Sequence, residues 1–241
     1  MFLRAVAMAA VALTVTTAIT GCKTEPAPIV IYEDKRDSIW LMFDPESGSG
    51  HSHPFEVSRE QMARVMSGVY IKHRDVVAGF GMFFGDEEGE PAFTAAQIAF
   101  AAPHLAEALR KASPRDMATF YLTSGDKQAG KLVTSGGVFV REGKMFFILA
   151  NARTPPYAVQ YENTYAFDQR DQPLIPIAKK KFVVGFAPKE ALLSNKQFRG
   201  KPGYEPYLDE SKLVIIDLQK LSTLPNSPPT ASGASPVPPR R

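Results

Sequence analysis

The sequence predicts an α+β fold, a mainly antiparallel sheet with two or three helices packed on it. Three observations lead there. Two segments open with the spacing of a capping box, Ser58 with Gln61 and Thr94 with Gln97, and apolar residues follow at helical intervals. From Met117 onward, short runs of β-branched and aromatic residues replace that periodicity. Two of these runs flank Glu142-Gly143, a two-residue turn of the kind that joins antiparallel strands.

Taken in order, Ile29–Tyr32 and Ile39–Phe43 are short apolar runs and read as strands. Pro45–Pro54 holds Gly48, Gly50 and several serines and reads as a loop. The first helix starts at the Ser58 cap, with Val57 and Met62 placed as a hydrophobic staple. Met62, Val65, Met66 and Val69 share one face, and Gly68 suits the stop. Val69–His73 leaves as a strand, and Val76–Phe84 is a further strand candidate. The second helix repeats the device, with Phe93 and Ile98 as its staple and Ile98, Ala101, Ala102, Leu105 and Leu109 on its buried face. Pro103 lies too deep for the first turn and is expected to kink or divide it. Glu107 and Lys111 are spaced for an ion pair on the wet side, and Ser113 with Asp116 for one more capped turn. Ala118–Thr123, Lys131–Arg141, Lys144–Ala150, Phe182–Phe186 and Leu213–Asp217 read as strands, with a short helix around Lys189–Leu193. Tyr161, Asn163, Tyr165 and Phe167 alternate with Glu162, Thr164, Ala166 and Asp168, a strand pattern with an aromatic face.

The first 22 residues have a different logic. Arg4 supplies a positive start, and Ala5–Ile19 carries no charge. That run is shorter than the roughly 20 apolar residues of a membrane-spanning helix. A charged start, a short apolar core and small residues before a cut site form the secretory signal pattern. The run ends Ile19-Thr20-Gly21-Cys22, which resembles the lipobox of bacterial lipoproteins, with Ile in place of the commoner Leu. The resemblance covers these 22 residues alone. It implies cleavage after Gly21 and diacylglycerol on Cys22, with the membrane as a partner through that lipid. Cys22 is the single cysteine, so no intramolecular disulfide can form, and lipidation accounts for a lone thiol in an exported chain. Lys23 follows, with no Asp at that position, which by resemblance to the enterobacterial sorting rule favours the outer over the inner membrane. The expected localisation is thus the cell envelope, facing the periplasm. Residues 22–28 are a tether.

Removing residues 1–21 leaves 220 residues with 27 basic and 25 acidic side chains, a balance that gives no nucleic-acid footprint. Residues 29–224 suffice for a globular core without disulfides. Residues 225–241 contain six prolines, almost no large apolar side chain and a terminal Arg240-Arg241, the composition of an extended, disordered tail.

Candidate chemistry is sparse. His51-Ser52-His53 places two imidazoles in a Gly/Ser loop, but a metal needs further ligands at suitable spacing, so these read as solvated loop histidines. Asp86, Glu87, Glu88 and Glu90 crowd an acidic loop without the calcium-loop spacing. Thr134-Ser135-Gly136-Gly137 lacks the first glycine of a nucleophile elbow, and its glycines suit a bulge or close packing. Gly79-Phe80-Gly81 and Gly85 miss the dinucleotide spacing. No catalytic residue, cofactor or metal is assigned. The richest recognition chemistry lies in 151–177 and around Tyr204: Arg153, Tyr157, Tyr161, Asn163, Arg170 and Tyr204 are the candidate binding residues, Tyr and Arg being favoured at interfaces. The expectation is a non-enzymatic envelope accessory with a protein partner. A periplasmic hydrolase and a small-ligand carrier are the alternatives.

Overall fold

A computed structural model describes residues 25–73, 89–125, 130–156, 169–177, 182–201, 204–207 and 211–225. The fold is α+β, dominated by sheet. Ten strands are described: β1 (Ile29–Glu33), β2 (Ser38–Phe43), β3 (Val69–His73), β4 (Glu90–Pro91), β5 (Asp116–Ser124), β6 (Leu132–Arg141), β7 (Lys144–Thr154), β8 (Phe182–Phe186), β9 (Leu192–Leu193) and β10 (Leu213–Asp217). The helices are α1 (Arg59–Gly68), α2 (Ala95–Lys111) and α3 (Leu218–Thr223). Seven strands form one sheet in the order β1-β2-β5-β6-β7-β10-β9, and β4-β3-β8 form a second. All the pairings are antiparallel.

Both capping boxes form. Ser58 Oγ accepts from the Gln61 N–H at 3.1 Å while Gln61 Oε1 accepts from the Ser58 N–H. Thr94 and Gln97 do the same. Each box satisfies two of the backbone donors that a helix start leaves open. Gly68 closes α1 for a packing reason. A Cβ there would sit 2.2 Å from the Ala187 carbonyl oxygen, where the chain beyond β8 crosses the helix end. Helix α2 runs undivided through Pro103, so of the two expected effects, a kink or a division, the division does not occur. Pro103 faces solvent, while Ala101, Ala102, Leu105 and Leu109 on the opposite side are buried against the sheet and hold both halves in line. Glu107 and Lys111 pair as spaced, and Ser113 and Asp116 close the following turn. The segment after Pro188 is one 3-10 turn, Lys189–Ala191, leading into β9. Helix α3 is capped by Asp217, whose side chain accepts from the Lys220 N–H.

Alternation along the central strands divides the large sheet into two faces. Ile39, Leu41, Phe120, Leu122, Val138, Val140, Phe147 and Leu149 join Met62, Val65, Met66, Leu105 and Leu109 of the helices in the main core. The smaller sheet adds Val69, Ile71, Phe182 and Phe186 to that core. On the other face Met117, Phe139, Phe146 and Ile215 pack under Phe198, Tyr204 and Tyr207, which belong to the 194–207 segment. The turn at Glu142-Gly143 joins β6 and β7 as predicted, with φ of 52° and 71°, the left-handed pair that such a tight hairpin requires. Gly136 and Gly137 are close-packing glycines beside a register shift in β6, since a Cβ on Gly136 would lie 2.0 Å from the Ile148 carbonyl oxygen.

Among the described residues no helix is long and apolar enough to cross a membrane. Cys22 and the signal segment, the strand candidate Val76–Phe84 with its glycines, Asp86–Glu88, Tyr157, Tyr161, Asn163 and the tail beyond Pro225 lie outside the described residues.

Candidate functional site

Among the described residues, a dense buried polar cluster forms where the loop after β2 folds back over the β6–β7 end of the sheet. Asp44 follows β2 and caps the one-turn helix Pro45–Ser47, its Oδ1 accepting from the Glu46 N–H at 3.0 Å. Its Oδ2 accepts from His51 Nε2 at 2.8 Å and from the Tyr207 hydroxyl at 2.7 Å. The other nitrogen of His51, Nδ1, lies 3.3 Å from an Arg141 Nη, which can only donate. In the singly protonated ring the proton sits on Nε2. Arg141 also donates to the Ser47 carbonyl at 2.7 Å, and its guanidinium stands over the rings of Tyr204, Phe139 and Tyr207 at 4.9, 5.7 and 5.7 Å. His51 stacks on Phe139 with ring centroids 4.2 Å apart.

His53 sits beside this cluster and is buried as well. Its Nε2 accepts the Val140 N–H at 3.0 Å, while the Val140 carbonyl takes the Ser52 N–H, so the loop is zipped onto the end of β6. Burial, and next the neighbouring His51, push the His53 pKa down to about 4. Burial works against ionisation of Asp44, yet the donors His51 and Tyr207 outweigh it and hold its carboxyl below the ordinary value. The Tyr207 hydroxyl is pushed up by burial and by the Asp44 carboxylate that accepts its proton. Tyr204 is raised to about 12 by burial and by the Glu142 carboxylate.

This arrangement corrects the reading of His51 and His53 as solvated loop residues, since both are 5 % exposed. The sequence motif holds no trace of the cause, because Arg141 is 90 residues from His51 and Tyr207 is 163 from Asp44. Three of the four ring nitrogens, Nε2 and Nδ1 of His51 and Nε2 of His53, are engaged within the protein, while His53 Nδ1 is buried without a hydrogen-bond partner. Among the described residues no group of three or more His, Cys, Asp or Glu is placed to hold a metal.

Asp44 and His51 have the geometry of the orienting half of a catalytic triad. The position a nucleophile would take, at the second imidazole nitrogen, is filled by a guanidinium, which leaves no lone pair to accept a substrate proton. The cluster ties the 44–54 loop, the end of β6 and the 204–207 turn into one body.

A second buried knot lies near the other end of β6 and β7. Asn151 Nδ2 donates to Ser135 Oγ at 2.8 Å and to the Ile175 carbonyl at 2.9 Å, and its Oδ1 accepts from the Ile177 N–H. Ser135 Oγ in turn donates to the Pro173 carbonyl at 2.7 Å, so this serine is spent on holding the 173–177 segment to the sheet.

The described binding candidates are dispersed. Arg153, at the far end of β7, adopts a left-handed φ of 44° and pairs with Glu90 of β4. Arg170 donates to the Asp34 carbonyl at 2.9 Å at the β1–β2 hairpin and lies 3.9 Å from Glu33. Tyr204 is 4 % exposed in the aromatic cluster beside Phe146, near the opposite end of β7 from Arg153. Comparison with protein-family models, with curated proteins and with solved structures gives no match.

Proposed function

We propose that this chain is a lipid-anchored envelope lipoprotein whose folded domain serves as a non-enzymatic accessory or adaptor. The observation that carries the address is Ile19-Thr20-Gly21-Cys22 closing an uncharged run behind Arg4. The adaptor reading draws on how the buried polar side chains are used. Asp44, His51, Asn151 and Ser135 direct their hydrogen bonds into fixing loops on the sheet. It draws also on Arg64 of α1, whose Nη2 donates to the Leu224 and Pro225 carbonyls at 2.8 and 2.9 Å. That clamp fixes the point from which the proline-rich 226–241 segment departs, as a domain presenting a binding tail requires.

In-cell cross-linking of the membrane-held protein, followed by affinity capture and mass spectrometry, tests the reading. The full chain and a chain ending at Pro225 are compared. One envelope protein captured in stoichiometric amount by the full chain is expected, and its loss from the shortened chain assigns the contact to the tail. Capture of no reproducible partner by either chain contradicts the adaptor role and returns the hydrolase and ligand-carrier readings to first place.

A further inference from the structure

We infer that the end of the large sheet where β1 begins rests on the membrane surface, with Ile29 and Val30 seated at headgroup level. The inference builds on the lipid anchor proposed above and adds an orientation to it. Ile29 and Val30 are 55 % and 54 % exposed, and the only other large exposed hydrophobics among the described residues are Leu174 and Ile175. They open the edge strand of the sheet, since β1 pairs with β2 alone. Only six residues separate Cys22 from Ile29, and the seven steps between them span at most about 25 Å at about 3.6 Å per residue. A lipid on Cys22 therefore holds these two side chains within reach of the bilayer.

The neighbouring groups suit the same surface. Ile29 stands opposite Leu41, so the start of β1 lies beside the end of β2, where Phe43 pairs with Asp116 at the start of β5. The Arg115 guanidinium stands 4.6 Å above the half-buried Phe43 ring, and Arg115 and Arg110 are exposed at this end together with the acids Glu46 and Glu142. An aromatic ring with arginine over it, next to two apolar side chains, matches the apolar-to-phosphate gradient of a lipid interface.

The edge itself argues against a strand from another protein. A register shift between Val30 and Tyr32 bends β1, and such bulges turn an edge away from further pairing. Beyond it, Arg170 binds the Asp34 carbonyl and approaches Glu33. The unpaired backbone groups at the start of β1 need water, which the headgroup layer supplies and the hydrocarbon does not. Contact is thus interfacial and shallow.

The test uses the full chain, purified from membranes and reconstituted into vesicles of phosphatidylethanolamine and phosphatidylglycerol. Ile29→Cys and, as the control at the far end of the β1–β2 hairpin, Lys35→Cys are each labelled with an environment-sensitive fluorophore. The expected result is blue-shifted emission at position 29, quenched by lipids spin-labelled near the headgroup, and water-like, unquenched emission at position 35. Water-like emission at position 29 overturns the inference while leaving the anchor intact. Blue-shifted emission there without lipid quenching also overturns it, and points to a covering protein or a second copy. Labelling of the parent chain, whose single thiol a lipid would block, shows that the anchor itself is missing and removes both readings together.

Discussion

Acidification probes the loop-to-sheet zipper at His53 directly. The folded protein keeps this imidazole neutral down to about pH 4, whereas in the unfolded chain it takes up a proton near the ordinary value of 6.5. Between those two values the unfolded state binds one more proton than the folded state, so stability falls as pH falls. The contribution of His53 to stability is full above pH 6.5, declines through the window and is gone by about pH 4. The gap of about 2.5 pH units, at about 1.4 kcal/mol each, corresponds to about 3 kcal/mol. Asp44 does not confuse the window, because its depressed carboxyl withdraws stability only as pH falls below the ordinary carboxylate value of 3.8. The assay is urea unfolding at about pH 7, 6 and 5, followed by fluorescence of Trp40, the single tryptophan and 8 % exposed. His53→Gln supplies the contrast. Its amide oxygen can accept the Val140 N–H but does not titrate. Between pH 7 and pH 5 wild type is expected to lose about 2 kcal/mol more than the variant, the larger part of it below pH 6. Parallel curves for the two proteins would refute the assignment of a buried, neutral His53.

Four further outcomes follow from the same contacts. Tyr207→Phe removes a donor to the buried Asp44 carboxylate and should cost about 2 kcal/mol in chemical denaturation; a change below about 0.5 kcal/mol would mean that the 204–207 turn is not held through Asp44. Gly136→Ala drives a methyl group into the Ile148 carbonyl in a central strand, so a loss of about 3 kcal/mol or more, or failure to accumulate folded protein, is expected by circular dichroism. Ser58→Ala should lower stability by about 1 kcal/mol by opening the α1 box, with Thr94→Ala comparable, both read from urea midpoints. Cys22→Ser should move the protein out of the membrane pellet on cell fractionation, and undiminished membrane association would mean that another element binds it there.

The parts of the fold that were legible are those decided within a few residues. A capping box is complete inside four positions, so Ser58-Gln61 and Thr94-Gln97 mark both long helices, and the residues on their apolar faces do enter the core or pack against it. Glu142-Gly143 likewise sets the β6–β7 register from Arg141 back to Gly136, because few residues tolerate left-handed backbone twice in succession. The failures share a cause as well. Pro103 carries a local signal to break, and burial of the opposite face of α2 overrides it. His51 and His53 sit in a Gly- and Ser-rich stretch that reads as wet. They are buried because Tyr207, Arg141 and the end of β6 arrive from distant parts of the chain. The tyrosines and arginines that suggest recognition are ambiguous for the same reason. Tyr204 packs on Phe146 and Phe198, and nothing in its neighbouring residues distinguishes such a ring from one at an interface.

The central claim is the lipid on Cys22, and intact mass spectrometry of the protein extracted from membranes with detergent tests it most directly. The account predicts a chain that begins at Cys22 and carries the added mass of a diacylglycerol group, with or without a further acyl chain. A chain that retains residues 1–21, or one that begins at Cys22 with an unmodified thiol, would contradict it.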